Sequence, residues 1–170
     1  MKRILSIILA LSTLFSAFAC EKIPAPEDPQ EERKEEKNNY GDSGNGQNDT
    51  MPSQIKITVS GKTLPVNIEN NDATKALVEA LRENSITYEA SDYGGFEKVG
   101  PLGRSLPASD TQITTQAGDV ILYNGNQIVL FYGSNTWSYT RLGKMEYGSL
   151  DELKSFLKAG EGNISVSLSL

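Results

Sequence analysis

The residues able to do chemistry are few. The chain has no histidine and a single cysteine, Cys20. That excludes Ser-His-Asp and Cys-His catalysis, histidine-bearing zinc sites, intrachain disulfides and cysteine-rich metal clusters. No metal site and no cofactor is expected. Trp137, Tyr139 and Arg141 stand at i, i+2 and i+4, so an extended chain presents all three on one face. An aromatic–arginine face can hold a peptide or a planar anion by stacking and cation–π contact. Tyr93 and Phe96 are further candidate walls of an apolar pocket, and Arg104 is a second candidate cation. The remaining combinations lead to structural roles. Glu97 and Lys98 are adjacent and point to opposite faces of a strand, so they do not share an acid–base site. Gly94-Gly95 lacks the Gly-Lys-Ser/Thr of a phosphate loop and reads as a turn. Asp119, after Gly118, reads as fixing a turn that enters a buried strand. No residue is assigned a catalytic role. The ligand-binding candidates are Tyr93, Phe96, Trp137, Tyr139 and Arg141.

The elements that must position these residues lie in 55–170, about one domain's worth of chain. Ile55, Ile57 and Val59 alternate with polar residues, as in a half-buried strand. Gly61-Lys62 turns the chain into a second strand, Thr63 to Glu69. Asp72 is a candidate N-cap, and Ala73, Leu77, Ala80 and Leu81 recur at helical spacing, predicting a helix over 73–84. Thr87 to Ala90 reads as a strand. Val120 to Tyr123, then Asn124-Gly125, then Gln127 to Tyr132 is the clearest hairpin signal. Its unbroken apolar runs predict strands covered on both faces. Ser149-Leu150-Asp151-Glu152 is a capping box that opens a second helix, which Gly160 ends. Ile164, Val166, Leu168 and Leu170 alternate with serines in a terminal strand. Many short strands and two helices point to a mainly β protein, a small closed or nearly closed barrel with capping helices.

The N-terminal third reads differently. Lys2 and Arg3 precede an apolar run from Ile4 to Phe18, too short for a comfortable transmembrane helix. Residues 1–19 therefore read as a signal peptide. Ala17-Phe18-Ala19-Cys20 resembles a bacterial lipobox, which implies a diacylglycerol thioether on Cys20 and cleavage before it. Several acyl chains would hold the protein stably on a membrane. Cleavage removes Lys2 and Arg3 and no acid, taking the net charge from −6 to −8. That charge argues against a nucleic-acid partner and leaves attachment to the lipid. Residues 20–54 comprise the lipidated cysteine and an acidic, Asn/Gly-rich tether with too little apolar surface to offset ordering entropy. The Asn38–Asp49 stretch is no calcium loop, because Gly44 and Gly46 fall where oxygen ligands are needed after Asp42. The expected location is the cell envelope, lipid-anchored on an outer membrane, facing the periplasm or the surface.

Two blocks of wording give a family resemblance. Asp92-Tyr93-Gly94-Gly95-Phe96-Glu97-Lys98-Val99-Gly100-Pro101-Leu102 with Leu106-Pro107 is one. Gly118-Asp119-Val120-Ile121-Leu122-Tyr123 with Gly125-Asn126 and Leu130-Phe131-Tyr132-Gly133 is the other. With Asn71-Asp72-Ala73-Thr74, Leu142-Gly143-Lys144 and the helix at 149–159, they resemble the bacterial cyclophilin-like domain family across nearly all of 55–170. The resemblance implies a closed eight-stranded β-barrel with a helix over each end. It does not imply an activity, since one fold hosts many functions. A cyclophilin isomerase uses an arginine near the prolyl nitrogen and an apolar ring pocket. Its Phe–Arg stretch and following Gln/Gly block are not found in this chain. Two functions therefore stand: a non-catalytic module for a peptide or protein ligand, and an extracytoplasmic peptidyl-prolyl isomerase.

Overall fold

A computed structural model describes residues 50–170; the signal segment 1–19, Cys20 and the tether up to Asp49 lie outside the described residues. In chain order the elements are β1 Gln54–Val59, β2 Lys62–Ile68, α1 Asp72–Glu83, β3 Ile86–Tyr93, β4 Glu97–Pro101, β5 Thr111–Thr114, β6 Asp119–Tyr123, β7 Gln127–Phe131, β8 Thr136–Met145, α2 Leu150–Phe156 and β9 Ile164–Ser169.

Eight of the nine strands close a ring. The antiparallel order is β2-β1-β9-β3-β4-β7-β6-β8, and β8 returns to β2 through Val66↔Met145, Asn67↔Lys144 and Ile68↔Gly143. Closure leaves no free edge within the ring. The ninth strand, β5, lies outside it on the first half of β8, from Thr111↔Tyr139 to Thr114↔Thr136. The fold is thus the mainly β, eight-stranded closed barrel with two helices that the sequence predicts.

The main core fills the barrel with alternate residues of its strands, among them Ile57, Val66, Val120, Leu122, Ile128, Leu130, Leu142 and Val166. Both helices add to it. The first helix contributes Ala73, Leu77, Val78 and Leu81, the second Leu153 and Phe156. The N-cap of α1 is Asn71 rather than Asp72. The Asn71 side chain accepts from the Thr74 N–H at 3.0 Å, the Thr74 hydroxyl accepts from the Asn71 N–H at 3.1 Å, and Asn71 Nδ2 donates to the Arg141 carbonyl at 2.8 Å. Asn71 caps the helix and ties it to β8 at once, which Asp72 cannot do without an amide. Ser149 caps α2 as expected, but the Glu152 carboxylate takes the Gly148 N–H at 2.9 Å instead of closing the box on Ser149. Helix α2 stops at Phe156, short of Gly160, after which Lys158 and Gly160 both take positive φ. The fold engages residues before 55: the Ser53 carbonyl accepts from the Ile68 N–H at 3.1 Å, and Met51 packs on the core.

A second apolar cluster lies on the other face of β4, β6, β7 and β8. Its members are Ile121, Val129, Phe131 and Tyr139, with Phe96, Val99, Ile113 and Tyr123 against them. The unbroken apolar runs of the β6–β7 hairpin are explained by it. Residues 120, 122, 128 and 130 fill the barrel while 121, 129 and 131 carry this outer cluster.

Candidate functional site

Register builds the outer face row by row. Residues paired across antiparallel strands share a face, so Tyr93, Glu97 and Phe131 form one row through the pairs Tyr93↔Glu97 and Glu97↔Phe131. Val99, Val129, Ile121 and Arg141 form the next, and Gln127 with Tyr123 a third. Strand β8 brings Tyr139 beside Tyr123 and Phe131. Tyr139 meets both edge-on, with ring centroids 5.8 Å away in each case. Such pairs add about 0.5–1.5 kcal/mol beyond their buried area.

These rows floor a cavity of about 390 Å³ lined by Tyr93, Glu97, Val99, Tyr123, Gln127, Val129, Asn135, Trp137 and Tyr139. Its rim is aromatic and open to solvent: Tyr93 is 67% and Trp137 57% exposed. Its floor is buried. Tyr139 is fixed there by Asn135 Nδ2, which donates to the Tyr139 hydroxyl at 3.0 Å. Burial pushes the Tyr139 phenol up, while the Asn135 bond pulls it down and nearby Glu97 adds to the rise.

Glu97 is the unusual member. It is only 4% exposed, its Oε2 has no hydrogen-bond partner, and burial lifts its carboxyl from 4.5 to about 7. A group so placed holds or releases a proton near neutrality. It can also accept from a donor or pair with a cation. Its neighbour Lys98 points into the barrel, fully buried, and meets Asp92 Oδ2 at 2.8 Å and the Gly162 carbonyl at 2.5 Å. Asp92 also accepts from the Tyr132 hydroxyl and from the Gly160 and Gly162 N–H groups. Partial burial pushes the Asp92 carboxyl up, but Lys98 and these donors outweigh it and hold it down at about 2. The two adjacent charges thus serve opposite faces, as their spacing predicts. The inner pair is structural: it locks the 160–162 loop onto the end of β3.

The five candidate residues separate into three places. Tyr93, Trp137 and Tyr139 share the aromatic cavity. Phe96 lies behind it, stacked on Phe131 at 6.3 Å and 8°, and supports the floor. Its ring leaves no room for a side chain at position 94, where φ is +61° and an added Cβ would lie 2.3 Å from Phe96 Cε1. Gly94-Gly95 is a turn. Arg141 does project from the face of β8 that carries Trp137 and Tyr139, but it is bound elsewhere. Its guanidinium meets Asp119 Oδ2 at 2.5 Å. It lines a separate hollow of about 340 Å³ with Glu69, Asn71, Asp72, Ser109 and Thr111. Tyr139 lines both hollows and stands between them.

Asp119 does fix a turn, accepting the Gln116 N–H at 2.9 Å, and it also anchors Arg141. Arg104 is exposed in the loop between β4 and β5. Glu97 is weighed in the sequence only as half of a pair with Lys98, and Tyr123, Gln127 and Asn135 are not singled out as site residues. Strand pairing brings Glu97, Tyr123 and Gln127 to the cavity, and Asn135 reaches it from the loop before β8. Among the described residues no group of three or more His, Cys, Asp or Glu side chains could hold a metal ion.

A model of the cyclophilin-like family matches residues 57–169, and the chain belongs to that family. The solution structure of a hypothetical protein from Archaeoglobus fulgidus is similar to it, with a TM-score of 0.49 and 15% identity over 73% of this chain and 98% of that one. No curated protein matches the chain.

Proposed function

We propose that this protein is a lipid-anchored envelope protein whose cyclophilin-like barrel acts as a binding module, without isomerase activity. The observation that carries it is the outward-facing aromatic cavity, where exposed Tyr93 and Trp137 rim a buried floor of Tyr139, Val129 and Glu97. Solvent-exposed aromatic rims over fixed floors are what binding faces use, because rigid rings offer apolar area at little entropic cost. Prolyl isomerisation asks for a cation that binds the twisted amide better than the planar one. No arginine or lysine is among the residues lining the cavity, and Arg141 is held by Asp119 beyond the Tyr139 ring.

The lipid anchor rests on the sequence: the only cysteine follows a signal-like segment at the position where acylation occurs. Two experiments test the proposal. In a protease-coupled assay the protein should leave the isomerisation rate of a proline tetrapeptide unchanged. Acceleration abolished by Arg141→Ala or Arg104→Ala in a folded protein would overturn the non-catalytic assignment. In fractionation, Cys20→Ser should move the protein from membranes to the soluble fraction. Retention of that variant on membranes after a high-salt wash would mean a different anchor.

A further inference from the structure

Binding by an aromatic rim leaves Glu97 unexplained. A carboxyl group is expensive to bury without partners, and Glu97 Oε2 has none. The neighbouring acids have cations. Half-buried Asp92 has Lys98, Tyr132 and two backbone donors; buried Asp119 has Arg141 and the Gln116 N–H on Oδ2, and its Oδ1, which makes no hydrogen bond, has Lys144 Nζ at 3.6 Å. Glu97 alone among these lies in an open cavity. Aromatic side chains surround it: Tyr93 across the β3–β4 pair, Tyr123 from β6, and Trp137 and Tyr139 from β8.

The chemistry complementary to this set is specific. Ring faces attract a cation through their quadrupoles, most strongly where water is displaced. A carboxylate with an unused oxygen supplies the counter-charge. Apolar substituents on the cation suit the Val99 and Val129 floor and ease its dehydration. An anion or a ligand offering only acceptors would meet the lone pairs of Glu97 and be disfavoured. We infer that the cavity recognises a compact alkylated ammonium group, seated against Glu97 and enclosed by Tyr93, Tyr123, Trp137 and Tyr139. This rests on the binding function proposed above and gives that site its ligand class.

The pH response follows. The other titratable groups facing Glu97 are the phenols of Tyr93, Tyr123 and Tyr139; the Tyr132 phenol, which also feels Glu97, is bonded to Asp92, and Lys98 and Asp92 are paired with each other on the inner side. With its carboxyl at about 7 in the empty cavity, Glu97 must lose a proton to pair with a cation. Affinity for the cation therefore rises with pH up to about 7. Below that it falls by at most about ten-fold per pH unit, the limit for one proton.

Trp137 is the only tryptophan in the chain, so its emission reports on this cavity alone. The intact protein is titrated with choline and with its neutral isostere 3,3-dimethylbutan-1-ol. Choline should bind at least about ten-fold more tightly, and Glu97→Gln should erase the preference. Equal affinities for the two probes, or a preference that survives Glu97→Gln, would overturn the cation assignment and leave a neutral binding face. No response to either probe, or to a proline tetrapeptide, would overturn both the cation assignment and the binding face. A peptide carrying trimethyllysine distinguishes the sources. Tighter binding than choline identifies a protein-borne cation, and weaker binding a small molecule.

Discussion

Replacing Glu97 by glutamine should stabilise the protein, and only at neutral to alkaline pH. The carboxyl sits at about 7 in the fold against 4.5 in the open chain. A raised acid means that the folded state holds its proton more tightly. Between pH 4.5 and 7 the fold therefore binds more protons than the unfolded chain, and stability falls as pH rises through this window. At 1.36 kcal/mol per pH unit the full cost of ionisation is on the order of 3 kcal/mol. Water at the mouth of the cavity screens part of it, leaving about 2 kcal/mol. Glutamine has nearly the same shape and no charge. In urea unfolding, Glu97→Gln should match the wild type near pH 4.5 and exceed it by about 1–2 kcal/mol at pH 8. Comparing the variant with the wild type at each pH cancels the other acids. A difference that is constant across this range, or a variant less stable at pH 8, would refute a buried, partnerless carboxylate.

Lys98→Met should behave in the opposite sense. It leaves Asp92 without its buried cation and should cost about 3–5 kcal/mol at pH 7, read by the same urea titration. Asp92 is held down at about 2, against 3.8 in the open chain. Its stabilising contribution is present above pH 3.8 and lost as pH falls towards 2, so the penalty of Lys98→Met should shrink in that acid window. Trp137→Ala removes an exposed side chain and should change stability by no more than about 0.5 kcal/mol. The same variant should weaken choline binding markedly when followed by calorimetry.

The barrel was legible because burial dictates its periods. Ile55, Ile57 and Val59 reveal a face by alternation, and Leu77 and Leu81 reveal a helix by spacing. The β6–β7 hairpin is written in Asn124-Gly125, both at positive φ, between two apolar runs. Strand β5 carried no comparable sign: Thr111, Gln112 and Thr114 are exposed, and only Ile113 packs inward on the outer cluster. The site was half legible. The spacing of Trp137, Tyr139 and Arg141 correctly put them on one face of a strand. It could not reveal that Asp119, 22 positions before Arg141, would claim the guanidinium. Nor could local sequence reveal Glu97, whose environment comes from Tyr93, Tyr123, Trp137 and Tyr139 on three other strands. Its adjacency to Lys98 suggested a pair, and alternation correctly denied it. The partner Asp92 that Lys98 takes instead lies across the β3–β4 hairpin at a directly paired position.

The Trp137 indole N–H gives a single NMR signal, since the chain has one tryptophan. Following it while choline is added, with the cis–trans exchange of a proline tetrapeptide recorded on the same protein, tests the central claim most directly. The outer aromatic face as a non-catalytic binding site predicts a saturable shift of that signal with unchanged exchange between the peptide's isomers. Accelerated exchange, or shifts gathered around Arg141 and Asn71 while the Trp137 signal stays still, would contradict it.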